Sequence, residues 1–281
     1  MLNNSNHNEL HKDDEMIDSN YATMIEGHML LLDLKAIAEF YRAISYNCFL
    51  FLPIGTRGWL NYNSYLFESI AGTISSIDDL VRKGHLNDAC VLLRLYFDNI
   101  YTDTYIQITL KNRFDVFSNF YFSEVEEWLQ KKHRIPSIKK IVTLLETNNI
   151  TNPIYSILNK NNQLVNYREF LDDCVHGNRY QALLYNCSAI YLENREKLLI
   201  RIQSIVKTLF TLHFSFIITL NPHYLMASDY RDCIEMGLIP PSGSEYWIAP
   251  FAQEAFNKYV NPNKELSDYL CSITDLQFIE K

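Results

Sequence analysis

The chain has 281 residues, with 8 glycines, 8 prolines and a 14% share of aromatic side chains. Glycine and proline together fall well below their usual combined share of about 12%, which argues against collagen-like, low-complexity and turn-dense all-β proteins. The formal charge is −8, from 25 basic and 33 acidic residues, so no overall electropositive surface for double-stranded DNA is expected. Local basic grooves remain compatible with that charge. These values predict a soluble, mostly helical globular protein.

The first twenty residues differ in composition from the rest of the chain. Residues 1–20 are rich in asparagine, histidine and aspartate, and charged side chains fill positions 12–15, where a signal peptide needs an apolar stretch. We expect residues 1–20 to form a mobile polar tail and the protein to be cytoplasmic.

From position 21 onward, apolar side chains recur with the spacing of amphipathic helices, which predicts an all-α multi-helix bundle. Residues 21–236 are predicted to form the bundle core, and residues 237–281 a C-terminal helical extension packed on it. The asparagine-rich stretch 147–162 is turn-prone and is the best linker candidate. The predicted helices span 21–52, 64–83, 88–110, 114–132, 136–146, 163–176, 180–192, 193–220, 224–236, 250–260 and 264–273.

Helix ends and the most apolar helix can also be predicted. Gly84 and Gly177 each follow a predicted helix, as suits a left-handed C-terminal cap. The apolar run 208–220 is shorter than the ~20 residues that span a bilayer. It therefore indicates a buried core helix, and no membrane partner is expected.

The third predicted helix carries polar side chains on one stripe of an otherwise apolar surface. Arg94, Asp98, Tyr101 and Tyr105 stand at i, i+4, i+7 and i+11. A buried arginine is tolerable only when it is paired, and Asp98, one turn on, is the obvious partner. The stripe is either an internal salt bridge satisfied by tyrosine hydroxyls or part of a functional site.

A second constellation borders the core-facing arc of the helix predicted at 163–176. Arg168, Asp172 and His176 lie at i, i+4 and i+8, at the edge of a packed surface where clefts between helices form. Asp172 can hydrogen-bond either neighbour. A histidine in that place is a plausible acid or base group. The alternative is a C-terminal histidine that interacts with the helix dipole, with Gly177 as the cap.

An apolar helix carrying Leu92, Leu93 and Arg94, followed later by a helix ending in Val175 and His176, resembles divergent bacterial proteins of the HEPN superfamily over residues 64–220. The resemblance implies a metal-independent endoribonuclease of phage-defence or toxin–antitoxin type, usually acting across a dimer.

The same resemblance implies roles for individual residues. His176 would be the catalytic histidine and Arg168 the phosphate-binding arginine. Catalytic members of the superfamily place four to six residues between the two, whereas seven stand here, so the Cα atoms lie ~12 Å apart along the helix. Arg94, from another helix, is the alternative phosphate-binding group.

The remaining polar motifs are weaker. Lys131, Lys132 and Arg134 form the strongest local basic cluster, either for an RNA backbone or as an ordinary basic helix end and turn. The six cysteines are widely spaced, without a CxxC pair, and are expected to be free buried thiols. The sequence offers no clustered cysteine and histidine ligands for a metal and no glycine-rich phosphate loop, so no cofactor is expected.

Two hypotheses of function follow. In the first, the chain is a HEPN-like metal-independent endoribonuclease or effector that cuts RNA, acting as a homodimer or with a partner protein. In the second, it is a non-catalytic helical interaction module (a sensor, inhibitor or scaffold subunit) in which an Arg/Asp/His network is structural.

Overall fold

The computed structural model describes residues 21–50, 62–113, 127–128, 130–132, 134–186 and 192–279. Within these ranges the chain is helical, with no β-strand, so the predicted all-α multi-helix bundle is confirmed. The predicted polar tail, residues 1–20, lies outside the described residues, as does nearly all of the helix predicted at 114–132. The α-helices are α1 (Met29–Leu50), α2 (Tyr62–Arg82), α3 (Leu86–Arg113), α4 (Ile138–Thr147), α5 (Thr151–Leu158), α6 (Gln163–His176), α7 (Tyr180–Leu184), α8 (Leu192–Leu220), α9 (Asp229–Glu235), α10 (Pro250–Ala255) and α11 (Lys264–Ile273).

The contacts between helices place α3 and α8 in the middle of the bundle. Helix α2 packs between α1 and α3, α6 packs on α3, and α8 contacts α1, α3 and α5. Of the described helices, Asn194–Leu220 is long and apolar enough to cross a membrane, with a mean hydropathy of 1.3 in its most apolar stretch. However, 72% of that stretch is buried inside the bundle. The prediction of a buried core helix over 208–220 is confirmed.

The predicted first helix, 21–52, is wrong in one respect. Residues 21–26 are helical, but the helix is interrupted at Gly27 and His28 before α1 begins. The Nδ1 atom of His28 accepts a hydrogen bond from the backbone N–H of Leu30 over 3.1 Å, which satisfies one of the unpaired donors at the start of α1. Glycine is a poor interior helix residue, so the break falls where the helix is weakest.

The stretch predicted as turn-prone contains a helix, α5. The side-chain oxygen of Asn148 accepts from the backbone N–H groups of Ile150 (2.9 Å) and Thr151 (3.2 Å), and so caps the start of α5. The asparagine that suggested a turn is therefore a helix start.

The two predicted glycine caps are confirmed. Gly84 and Gly177 have φ values of +77° and +60°. The backbone N–H of Gly177 closes α6 by bonding to the carbonyl of Asp173.

The C-terminal residues pack back on the bundle through backbone hydrogen bonds. The N–H of Ala249 donates to the carbonyl of Leu225 over 2.8 Å, and that of Ala227 donates to the carbonyl of Trp247 over 2.9 Å. A π-helical turn, Phe256–Val260, follows α10, and α10 itself contacts α1.

Candidate functional site

Helices α3 and α6 bring two of the predicted cationic side chains to one carboxylate. The Nε atom of Arg94 donates to Oδ1 of Asp172 over 2.6 Å. Arg94 also forms an ion pair with Asp98 one turn along α3, as predicted from the spacing. On α6, Nε of Arg168 lies 3.6 Å from Oδ2 of Asp172. The carboxylate of Asp172 thus lies between two guanidinium groups from different helices. We call these four residues the α3–α6 ion-pair group.

Arg94 is the most buried member of this group, with 13% of its side chain exposed. Burial alone would lower the pKa of Arg94, but the hydrogen bonds that its guanidinium donates to the carboxylates of Asp98 and Asp172 outweigh burial and raise the pKa. The arginine is therefore a permanent cation, held by two carboxylates. Asp98 and Asp172 keep 39% and 33% of their side chains exposed, so the outer edge of the group reaches solvent.

His176 does not join the ion-pair group. It is the last residue of α6 and is exposed. It follows Asp172 by four residues, so it lies on the same face, ~6 Å further along the helix axis. Among the residues that the structure describes, no side chain hydrogen-bonds to its imidazole. The structure brings Arg94 and Arg168 together but leaves His176 one turn away, in solvent.

Of the supporting tyrosines of the predicted stripe, Tyr101 lies within electrostatic reach of Arg168, a member of the ion-pair group. Tyr101 is buried, and its ring stacks on Phe97 with centroids 4.5 Å apart. Burial and the neighbouring hydroxyl of Tyr155 raise the pKa of Tyr101 well above its usual value. Tyr105 is half-buried and packs both on the main core and on a small cluster around Tyr62. The stripe therefore runs from the ion-pair group into the packed core.

The basic cluster Lys131, Lys132 and Arg134 is exposed and belongs to a turn. Lys131 has a φ of +60°, and the backbone N–H groups of Lys131 and Lys132 close the preceding helical turn by bonding to carbonyls over 2.9 Å and 2.7 Å. Positive φ with such bonds is typical of a helix C-terminus. The next residue, Ile135, packs near Ile106, about 18 Å along α3 from Arg94. The cluster therefore does not share a surface with the ion-pair group.

A buried polar network that the sequence analysis missed lies at the centre of the bundle. The hydroxyl of Tyr41 bonds to the hydroxyl of Tyr96 over 2.8 Å and to Nδ1 of His213 over 2.7 Å. The Nε2 atom of His213 lies 2.9 Å from Oδ2 of Asp103. Both the imidazole and the carboxylate are shielded from solvent.

The second oxygen of the Asp103 carboxylate continues the network toward α2 and the end of α8. It accepts a hydrogen bond from the side-chain amide of Gln107 over 3.0 Å. The same Gln107 amide donates to Asn63 and its oxygen accepts from Asn221, while Asn63 donates to the hydroxyl of Tyr224 over 2.6 Å. The network thus connects α1, α2, α3 and α8 and satisfies a buried carboxylate.

This network has the parts of an acid–base relay but no access for a substrate. His213 has no exposed surface, and the rings of Phe67 and Tyr41 cover it. The network's hydrogen bonds join side chains from four helices in the core. The available signal was the histidine inside the apolar run of α8, because a buried imidazole needs hydrogen-bond partners.

Within the described part of the chain, no group of three or more histidine, cysteine, aspartate or glutamate side chains is placed to hold a metal ion. No protein-family model, no curated protein and no solved structure matches this chain.

Proposed function

We propose that the chain is a non-catalytic helical interaction module, a sensor, inhibitor or scaffold subunit, in which the α3–α6 ion-pair group holds two helices in one register. The observation that carries this proposal is the carboxylate of Asp172, which lies between Arg94 and Arg168. Both arginines are engaged within the protein itself.

Electrostatics argues against a phosphate at the same place. A phosphate that contacted Arg94 would also meet the carboxylates of Asp98 and Asp172. Two like unit charges about 4 Å apart repel by roughly 4 kcal/mol at the effective dielectric of a protein surface. The two carboxylates together oppose the binding of an RNA backbone.

The surface around the ion-pair group fits a protein partner better. Val91 and Leu95 on α3 and Val175 on α6 are 36%, 48% and 40% exposed, on turns adjacent to Arg94 and Asp172. We call this surface the α3–α6 face. Apolar side chains rimmed by charges are typical of protein-binding surfaces. We propose that the α3–α6 face binds a second copy of this chain, and that the protein acts in the cytoplasm.

Self-association tests the interface. Light scattering and sedimentation over a range of concentrations should detect a dimer, and Leu95→Lys should weaken it by about tenfold or more by burying an unpaired charge. Leu32→Lys is the matched control, since Leu32 is 57% exposed on α1. A chain that stays monomeric at high concentration, or a dimer that tolerates Leu95→Lys, would overturn this part of the proposal.

A second candidate, a HEPN-like metal-independent endoribonuclease of a bacterial defence or toxin–antitoxin system, is favoured by one observation. The imidazole of His176 is exposed on the same helix face as Arg168 and Asp172. In this candidate His176 takes the proton of a ribose 2′-hydroxyl, and Arg168 or Arg94 leaves Asp172 to hold the phosphate.

Incubation with RNA in EDTA separates the two candidates. The interaction module leaves single-stranded RNA and tRNA intact, and its His176→Ala variant melts at the wild-type temperature, because the imidazole is exposed. Cleavage by the wild-type protein that disappears in His176→Ala, with the fold unchanged, would establish the second candidate instead. Arg179→Ala, which changes an exposed residue that directly precedes α7, is the control for loss of a surface cation.

A further inference from the structure

A surface pocket of about 290 Å³ lies between α7 and α8. Helix α7 and the residue that follows it contribute Gln181, Leu184 and Tyr185, and α8 contributes the facing wall. None of the four residues of the α3–α6 ion-pair group lines this pocket. Its volume is close to the lower end of the range for small-molecule sites, about 300–1,000 Å³. The pocket therefore has room for a small organic molecule.

The wall that α8 contributes is positively charged. Asn194, Lys197 and Arg201 stand at i, i+3 and i+7, so they share one face of the helix, and all three line the pocket. Like charges four residues apart mildly destabilise a helix, so helix stability does not explain the two cations. Among the residues that the structure describes in the lining, none is an aspartate or a glutamate. This concentration of positive charge lies in a protein whose formal charge is −8.

The guanidinium of Arg201 is positioned by an aromatic ring of the core. Its central carbon lies 3.7 Å from the ring centroid of Phe170 on α6, and Phe170 is 8% exposed. Such stacking uses the flat face of the guanidinium and leaves the N–H groups at its edge able to donate. Within the described ranges, no carboxylate or carbonyl oxygen accepts a hydrogen bond from Arg201. The donors of a fixed cation are thus available to a ligand in the pocket.

The rest of the lining combines neutral hydrogen-bond donors with an apolar surface. The side chains of Gln181, Tyr185 and Asn194 also lack a hydrogen-bond partner in the part of the chain that the structure describes. An amide NH₂ and a phenolic hydroxyl can each donate to an oxygen of a ligand. Leu184 is half-buried and Leu198 is 6% exposed, so these two side chains give the pocket an apolar wall. A few convergent polar groups beside an apolar wall are typical of sites for organic ligands.

We propose that the pocket between α7 and α8 binds a small organic phosphate, with the phosphate group on Arg201 and Lys197 and the apolar body on Leu184 and Leu198. A phosphate monoester carries about two negative charges at neutral pH, which the two cations match. The edge of a guanidinium can donate to two phosphate oxygens at once, and an ammonium adds a point charge. The hydroxyl of Tyr185 donates to a further oxygen. The proposal concerns this pocket alone and does not depend on the function proposed above.

Isothermal titration calorimetry of the full chain with phenyl phosphate tests the proposal. We expect phenyl phosphate to bind, and phenol and inorganic phosphate to bind more weakly by about tenfold or more, because each of them makes only part of the contacts. Phenol lacks the charge that Arg201 and Lys197 attract, and inorganic phosphate lacks the apolar body. No binding of phenyl phosphate up to about 10 mM would overturn the proposal. Equal affinities for phenyl phosphate and inorganic phosphate would overturn the assignment of an organic ligand.

Single substitutions place the bound phosphate in the pocket. Arg201→Gln should weaken the binding of phenyl phosphate by about tenfold or more, because it removes charge-assisted hydrogen bonds. Tyr185→Phe removes one hydroxyl and should weaken binding by roughly threefold to tenfold. Lys207→Gln is the matched control, since Lys207 is an exposed cation of α8 that does not line the pocket. Circular dichroism establishes that the variants fold. Wild-type affinity in Arg201→Gln, or an equal loss in Lys207→Gln, would contradict the assigned site.

A short single-stranded RNA without a terminal phosphate separates a small ligand from a nucleic acid. We expect this RNA to leave bound phenyl phosphate in place, because the pocket encloses a single phosphate group and its substituent. If the RNA displaces phenyl phosphate from the wild-type protein and binds Arg201→Gln more weakly, the pocket takes an RNA backbone. That result would overturn the assignment of a small organic phosphate.

Discussion

Asp103 on α3 and His213 on α8 face each other at the centre of the bundle, with Oδ2 of the carboxylate 2.9 Å from Nε2 of the imidazole. Neither side chain reaches solvent to any useful extent, and each oxygen of the Asp103 carboxyl group has a hydrogen-bond partner, as a buried polar group requires. This contact ties together two helices whose residues are 110 positions apart.

Variants that remove members of this network should be destabilised, and the loss should be larger for the carboxylate than for a single hydroxyl. Asp103→Ala removes the partner of Nε2 of His213 and one of the two acceptors of the Gln107 amide, and it should lower the free energy of unfolding by about 3–5 kcal/mol. Tyr41→Phe removes one hydroxyl from the chain of hydrogen bonds and should cost about 1–2 kcal/mol. Denaturant titrations measure both changes. Tyr46→Phe, on the same helix but 68% exposed, is the control, and equal stability of the two tyrosine variants would contradict the network.

The lowered pKa of Asp33 predicts that the protein loses stability in acid. Burial raises the pKa of this carboxyl, but the hydrogen bonds from Gln203 (2.7 Å), Lys258 (2.8 Å) and Tyr259 (3.1 Å) outweigh burial and lower it. A carboxyl whose pKa is depressed by folding stabilises the protein above its unfolded pKa, near 3.9. That contribution is lost as the pH falls through the lower folded value.

The measurement for Asp33 is the free energy of unfolding between about pH 6 and pH 2. Asp33→Asn should be less stable than the wild type at neutral pH and should depend less on pH below about 4. Glu39→Gln, an exposed carboxyl on the same helix, is the control. If the free energy of unfolding of Asp33→Asn fell with pH as steeply as that of the wild type, Asp33 would not contribute to the acid transition.

The buried tyrosines predict a loss of stability in alkali. Burial raises the pKa of Tyr21 to about 12 and that of Tyr41 well above the usual value. A group whose pKa is raised by folding stabilises the protein below its unfolded pKa, about 10, and that contribution is lost as the pH rises through the folded value.

The alkaline transition can be followed by tyrosinate absorbance together with circular dichroism. Exposed tyrosines should ionise while the helices remain intact, and the buried ones should ionise only as the helices melt. Tyr180→Phe, a 74% exposed side chain, should reduce the early absorbance change and leave the melting unaltered. Complete ionisation of all tyrosines before any loss of helix would contradict the burial of Tyr21 and Tyr41.

Much of the fold could be predicted because the relevant signals are local. Helices α6 and α11 have the predicted bounds, since Asn162 and Gly177 flank α6 and Asn263 caps the start of α11. The break at Gly27 was missed because apolar residues continue on both sides of it. The helix start at Asn148 was missed because asparagine favours turns and helix caps alike.

Contacts between helices explain the part of the site that was not predicted. The pair of Arg94 and Asp98 follows from a spacing of four residues on one helix. The bond from Arg94 to Asp172 joins positions 78 apart, and only the packing of α3 on α6 creates it. The network around His213 depends on four helices at once, so no spacing in the sequence indicates it.

The account rests most directly on Arg94 as a structural tie between α3 and α6, and a double-mutant cycle of Arg94→Ala and Asp172→Ala measures that tie. We predict that the two changes are non-additive in the free energy of unfolding, with a coupling of about 1–3 kcal/mol. The weaker pair of Arg168 and Asp172, at 3.6 Å and one-third exposed, should show a coupling below about 1 kcal/mol. Additive effects within about 0.3 kcal/mol for Arg94 and Asp172 would contradict the account.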